Sequence, residues 1–216
     1  MPGRPERLVL VVGTRTEVGK TWVTCRLVQA LRRRGLIVAA RKPVQSYGTD
    51  GAIGATDAEL LSDATGERAG IICPLHRWYP LAMAPPMAAE ALGRPSWSIA
   101  DLAAETSWRT PVGVGLVEAV GGVRSPMAAD GDATDLAAAL HPEHVVLVAD
   151  AGLGTINAVR LSAAPLGRWP LTVLLNRYDA VDELHRRNWA WLAERDGFHV
   201  VADPADLVAP IVGWPT

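Results

Sequence analysis

The chain has 216 residues, 49% hydrophobic and 20% charged, with a formal net charge of -2. That length suffices for one α/β domain with a sizeable core, and so small a charge gives no electrostatic drive toward nucleic acid or an anionic membrane. No apolar run reaches the length of a membrane span and no signal peptide is visible, so a soluble cytoplasmic protein without nucleic-acid or membrane partners is expected.

"RLVLVVG" (7–13) is a β-branched, leucine-rich run that stops at Gly13, as a buried parallel strand does. Residues 19–35 place Val23, Leu27, Ala30 and Leu31 at helical spacing and end on Gly35. The "RRR" at 32–34 lies late in that helix, where cations suit the negative end of the helix dipole, and reads as a solvated helix end. "LIVAAR" (36–41) is a second strand, cut off by Pro43. A short helix over 56–66 has Thr56 as its N-cap. Residues 74–97 read as loops around a helix near 86–92. Helices are then predicted over 98–108, 132–140, 154–167 and 180–197, and strands over 112–120, 144–150, 171–177 and 198–203. The tail from 204 is punctuated by proline and carries no assignment. Alternation of strand and helix argues for one parallel sheet covered on both faces, a single α/β domain over residues 1–216. Cys25 and Cys73 are far apart and lack metal spacing, so they read as buried free thiols. The eight tryptophans (22, 78, 97, 108, 169, 189, 191 and 214) read as core and interface filler.

"GTRTEVGKT" (13–21) follows the first strand and opens a helix, the context of a phosphate-binding loop. Backbone N–H groups of Gly13, Thr14, Thr16, Glu17, Val18 and Gly19 would surround the anion, aided by the helix dipole. Lys20 would reach the outer phosphates, and the Thr21 hydroxyl would ligate Mg²⁺. The usual pattern has glycine where this chain has Thr14, so the loop belongs to a variant subclass. Lys42, in "AARKPVQS" (39–46), needs a separate reason. Of 21 basic residues only Lys20 and Lys42 are lysine, which argues against an ordinary solvated cation at a strand end.

"GTRTEVGKT" with "RKPVQS" some twenty residues later resembles the dethiobiotin synthetase family. "RWYPLAMAPPMAAEALGRP" (77–95), "LVEAVGGVRSPM" (116–127), "VADAGLGTINAVRLS" (148–162) and "LLNR" (174–177) extend the resemblance, in order, over most of residues 8–177. It implies a P-loop NTPase fold, mainly parallel with helices on both faces, active as a homodimer with substrate near the interface. The implied reaction carboxylates 7,8-diaminononanoate (diaminopelargonic acid) with CO₂, phosphorylates the carbamate with ATP and closes a cyclic urea. On that reading Lys42, with Lys20, is catalytic, a compact cation between carbamate and migrating phosphoryl group.

The resemblance also implies that Asp57 and Glu118 join Thr21 on Mg²⁺; a first-turn acid is the alternative for Asp57. Gly121 and Gly122 would admit phosphate and substrate close to the backbone, or simply make a turn. Ser46 would donate to the carbamate or cap a turn. Asn176, with Arg177 beside it, would meet adenine or end a strand. Gly154 and Asn157 would reach the substrate's carboxylate end across the dimer, unless Asn157 is merely a first-turn residue. Arg15 stands where partition ATPases carry a lysine that reaches the partner's nucleotide, so it either acts in trans or is an exposed loop arginine.

The chain departs from the family pattern at Tyr47, inserted before Gly48, at Ala119 and Val120, and at Ala158, where histidine is common. A partition-type ATPase would need glycines at 16 and 17, where Thr16 and Glu17 stand. A related amidoligase acting on a larger carboxylate, which would normally bring a glutaminase domain, and a nucleotide-binding homologue without chemistry are the remaining alternatives.

Overall fold

The computed structural model describes residues 3–48, 54–108 and 111–213. Strand β1 (Arg7–Gly13) leads into helix α1 (Lys20–Arg33), followed by β2 (Val38–Arg41), β3 (Gln45–Ser46), α2 (Asp57–Thr65) and α3 (Ala69–Ile72). Next come β4 (Trp78–Tyr79), α4 (Pro85–Ala91), α5 (Ile99–Glu105), β5 (Val114–Glu118), α6 (Ala133–Leu140) and β6 (His144–Asp150). The chain continues through α7 (Thr155–Ala163), β7 (Leu171–Asn176), α8 (Glu183–Ala190), β8 (His199–Val201) and α9 (Val208–Val212).

Six strands form one parallel sheet in the order β2-β5-β1-β6-β7-β8. Period-two alternation explains why β1 reads as one apolar run: Val9 and Val11 face one core, while Leu8, Leu10 and Val12 face the other. The first core is closed by α1 and α9 with Leu27, Leu31 and Ile211. The second is closed by α5, α6 and α7 with Leu102, Leu136 and Val159. The strand order reverses beside β1, so the C-terminal ends of β1 and β5 open onto the switch-point crevice where open α/β sheets take their ligands.

Several predicted boundaries move, each for a local reason. The second strand starts at Val38, because Ile37 is exposed and gives its carbonyl to the amides of Gly113 and Val114. The predicted 112–120 strand is confined to Val114–Glu118, and the predicted 98–108 helix ends at Glu105. Helix α7 stops at Ala163 and tightens into a 3₁₀ turn over Ala164–Leu166 at Pro165. Helix α8 starts at Glu183, where Asp182 accepts the amides of Leu184 and His185, and runs into a π-helical turn over Trp191–Arg195. The unassigned tail forms a 3₁₀ turn, Pro204–Leu207, and α9. Thr56 does cap α2, in a reciprocal box with Glu59.

The "RRR" is exposed, as read from the sequence, and one member also bonds across to a neighbouring helix. The Arg32 guanidinium donates to the carbonyls of Ala64 and Thr65, tying α1 to the C-terminus of α2. Among the tryptophans Trp97 is buried, and Trp78, Trp108, Trp169 and Trp189 pack partly buried against the cores. Trp22 and Trp191 are about half exposed, so they are not core; Trp214 lies outside the described residues. Cys73 is a buried free thiol, but Cys25 is only half-buried. Burial pushes both thiols up to about 12, which keeps them protonated and unreactive. Among the described residues no helix is long and apolar enough to cross a membrane.

His144, 2% exposed at the start of β6, lies 3.0 Å by Nε2 from Thr172 Oγ1, which lies 3.0 Å from His199 Nδ1. Burial, with the nearby His199 charge, pulls its imidazole down to about 4. An unfolded histidine takes up its proton near pH 6.5, so the stabilising effect is complete above that pH and is lost as pH falls toward about 4. The loss amounts to at most about 3 kcal/mol. Urea unfolding between about pH 7 and pH 4.5 measures it, and His144→Gln is expected to flatten the profile; an unchanged profile assigns the loss elsewhere.

Candidate functional site

The loop after β1 is held by its glycines. A Cβ at Gly13 would approach Val18 Cγ2 to 2.8 Å, and one at Gly19, which has φ +91°, would meet Asn176 Nδ2 at 2.2 Å. Glu17 also adopts a left-handed backbone, with φ 60°. Helix α1 has no side-chain N-cap and no acid in its first turn, so none of its own side chains occupies its N-terminal amides. Lys20 Nζ donates to Gly121 O at 2.8 Å and Arg15 O at 3.3 Å, which holds it along the loop. Burial, helped by the Lys42 charge, lowers its ammonium to about 8 against the opposing pull of Glu118 and Asp57.

Behind the loop lies a buried charge cluster. Lys42 is 1% exposed and Glu118 is 0% exposed. Lys42 Nζ lies 2.7 Å from Glu118 Oε1 and 2.7 Å from Asp57 Oδ2. Burial pulls the Lys42 ammonium down, but the charges and hydrogen bonds of Asp57 and Glu118 outweigh it and hold it above its ordinary value. Burial likewise raises the Asp57 carboxyl, and Lys42 with the Thr21 hydroxyl brings it down to about 2. Thr21 Oγ1 is 2.7 Å from Asp57 Oδ1 and 2.8 Å from Glu118 Oε1, so its one proton serves either carboxylate. Thr24 Oγ1 lies 2.7 Å from Glu118 Oε2. Two carboxylates and a hydroxyl converging from three elements are hard oxygen donors of the kind Mg²⁺ takes while keeping several waters.

A cavity of about 870 Å³ joins the loop to this cluster. Thr16, Glu17, Gly19, Lys20 and Thr21 of the loop line it together with Lys42, Asp57, Gly121 and Arg177. Ser46 lines the far end and donates to Met83 O at 2.6 Å. Gly122 lies outside the lining; a Cβ there would come within 3.1 Å of Thr14 O, so its smallness serves backbone packing. Thr14 donates its amide to Val148 O, prolonging the β1–β6 pairing. Asn176 Nδ2 donates to Val18 O at 2.8 Å, and Arg177, with φ 58°, donates to Glu17 O at 3.1 Å. Both therefore brace the loop through its carbonyls. Gly154 and Asn157 sit exposed at the start of α7 and do not line this cavity. Arg15 is also exposed, with a 3.4 Å contact to Thr16 O.

The residues that sequence reasoning missed are the apolar wall of Ala82, Met83, Ala84 and Pro85, together with Ser125. Ser125 had a local signal: it follows Gly122 by three residues and accepts the Gly122 amide at 2.9 Å. The wall had none, since the β3–β4 pairing that brings it to the loop spans two residues per strand. Of the departures, Ala119 is buried in the core and gives its amide to Val11 O, away from the lining; Ala158 also lies outside the lining. Val120 and Tyr47 do line the cavity, Tyr47 with its ring edge-on to Trp78 at 6.4 Å.

A family model described as an AAA domain matches residues 7–200. An ATP-dependent dethiobiotin synthetase BioD from Anaeromyxobacter dehalogenans (strain 2CP-C) is 39% identical over 182 residues, covering 82% of this chain and 79% of that protein. One from Haloferax mediterranei is 35% identical over 212 residues, covering 93% of this chain and 88% of that protein. Among solved structures, the signal recognition particle receptor FtsY from Elizabethkingia anophelis superimposes with a TM-score of 0.53 at 14% identity. That match covers 91% of this chain and 58% of FtsY, and the likeness concerns the fold alone. Taken with the loop, the paired lysines and the strand-end glutamate, the two synthetase matches place this chain in the ATP-dependent dethiobiotin synthetase family.

Proposed function

We propose that this chain is itself an ATP-dependent dethiobiotin synthetase, a carbon–nitrogen cyclo-ligase of biotin synthesis that works as one domain in the cytoplasm and as a homodimer. The observation that carries the proposal is the buried Lys42 ammonium, held between Asp57 and Glu118 at the back of a cavity whose other wall is the phosphate loop. One amine of 7,8-diaminononanoate adds to CO₂ and loses a proton, giving a carbamate. A carbamate oxygen attacks the γ-phosphorus of ATP and ADP leaves. The second amine attacks the carbonyl carbon of the mixed anhydride, phosphate departs, and the cyclic urea is closed.

The chain's own residues supply position and charge. The loop amides and Lys20 hold the phosphates, and Lys42 faces the anion that forms between carbamate and phosphoryl group. Thr21, Asp57 and Glu118 would hold Mg²⁺, which supplies charge neutralisation at the phosphate oxygens. Ser46 takes the substrate's polar end, and Gly121 and Arg177 the nucleotide; Gly122 and Asn176, outside the lining, support both through the loop backbone. On this reading Gly154 and Asn157 serve the substrate of a partner subunit, a role their exposure on α7 supports.

Purified protein mixed with ATP, Mg²⁺, bicarbonate and 7,8-diaminononanoate is expected to form dethiobiotin, read by mass spectrometry. Absence of product with nucleotide binding intact would overturn the assignment and point to another amine, with Tyr47 and Val120 as the residues that reshape the cavity.

A further inference from the structure

Gln45 is an anomaly outside the machinery of the proposed reaction. Its side chain is 2% exposed. The Oε1 atom accepts the Ala58 amide at 3.0 Å, while Nε2 has no hydrogen-bond partner among the described residues. The Ala58 N–H can only donate, so it dictates which end of the Gln45 amide faces it. A buried donor without a partner costs about 1–3 kcal/mol. A strand residue kept only for packing would be served better by an apolar side chain, so the Oε1 bond needs its own reason.

The chain path supplies one. Gln45 lies three residues after Lys42, and Ala58 is the residue after Asp57. The hydrogen bond therefore closes the loop between the two ends of the Lys42–Asp57 ion pair. Strand β3 is itself fixed, by pairing of Gln45 with Trp78 and Ser46 with Tyr79 and by the Tyr47 amide donating to Tyr79 O at 3.0 Å. Helix α2 is tied to α1 at its far end by Arg32. At its near end the Thr56–Glu59 capping box is internal to the helix and anchors it to nothing else. Asp57 is also the most exposed of the three charged groups, its side chain being 40% exposed against 1% for Lys42 and 0% for Glu118.

We infer that Gln45 is a positioning residue that pins the start of α2 to the lysine-bearing segment and so sets where the Asp57 carboxylate meets a divalent cation. The inference rests on the proposed role of Asp57 as a metal ligand. Gln45 does not line the cavity; it acts through the Ala58 backbone.

Gln45→Met keeps the volume and removes the acceptor. It removes one orphan, Nε2, and creates another, the Ala58 N–H, so the thermal midpoint should move by no more than about 2 °C. Mn²⁺ is the probe, titrated by electron paramagnetic resonance with a non-hydrolysable ATP analogue bound. The variant's Mn²⁺ dissociation constant is expected to rise about tenfold, the low end of what losing a hydrogen-bonding support costs a metal site, with faster hydrogen exchange at Ala58. Gln45→Asn, one methylene too short to reach Ala58, should show the same loss and guards against poor folding of the first variant. Wild-type Mn²⁺ affinity in either folded variant overturns the proposal, whatever the thermal midpoint does. Failure of the unsubstituted chain to bind Mn²⁺ overturns the metal-site reading itself, and the positioning role with it.

Discussion

Replacing Lys42 with methionine is expected to lower dethiobiotin formation by about 10²–10³-fold, the usual cost of removing one preorganised donor from a developing anion. Nucleotide binding should persist, because the loop is built without Lys42: Lys20 is held by Gly121 O and Arg15 O, and Asn176 by Val18 O. Lys42→Arg should not rescue. A guanidinium fork is planar and larger than an ammonium, and the space between Asp57 Oδ2 and Glu118 Oε1 fits a point cation with 2.7 Å contacts on both sides. The variant also carries a stability signature. With Lys42 gone, Glu118 remains fully buried beside Asp57, and breaking a buried pair on one side costs about 3–5 kcal/mol. Mg²⁺ should return much of that loss by neutralising the same two carboxylates, so the variant's urea midpoint should depend on Mg²⁺ more steeply than that of the unsubstituted chain. Initial rates and urea titrations with and without Mg²⁺ check both halves. A wild-type rate would remove Lys42 from the mechanism.

Glu118→Gln is the second large effect. It takes the negative charge from the C-terminal end of β5, where one carboxylate meets Lys42, Thr21 and Thr24. Activity should fall by at least the same about 10²-fold, and folding should lose about 3–5 kcal/mol, because Lys42 then stays buried with Asp57 as its one anionic contact. The double substitution Lys42→Met with Glu118→Gln should lose clearly less than the sum of the two single losses, with a coupling above about 1 kcal/mol. A double-mutant cycle by urea unfolding measures this. Additive losses would mean that the two side chains do not neutralise each other in the folded protein.

How much of this was legible depends on the range of the interaction concerned. The phosphate loop was plain because its determinants are consecutive: an apolar strand, a glycine-bounded turn and a lysine-threonine helix start. Thr56 capping α2 is equally local, since the hydroxyl and the amide it accepts are three residues apart. Lys42 was conspicuous through composition, one of two lysines among 21 basic residues, but its partners Asp57 and Glu118 lie 15 and 76 positions along the chain. Only the β2-β5-β1 strand order brings those segments together at one end of the sheet. Arg32 looked like a solvated cation because nothing local reveals that α2 ends beside it.

The parallel α/β architecture, the loop, the family and most of the charged site could be read along the chain, because hydrophobic period, turn chemistry and motif spacing are short-range properties. Tertiary structure alone decided which residues meet. It tied Asn176 and Arg177 to the loop carbonyls of Val18 and Glu17, left Gly154 and Asn157 outside the cavity, and built an apolar wall from residues 82–85 after a pair of two-residue strands too short to show a period. It also gave Gln45 its place, since a hydrogen bond across thirteen residues leaves no trace in local pattern. Such contacts depend on how whole elements pack, and burial then fixes their worth: in the buried cluster around Lys42 each charge needs its partner, whereas on the surface the same pairs would be worth little.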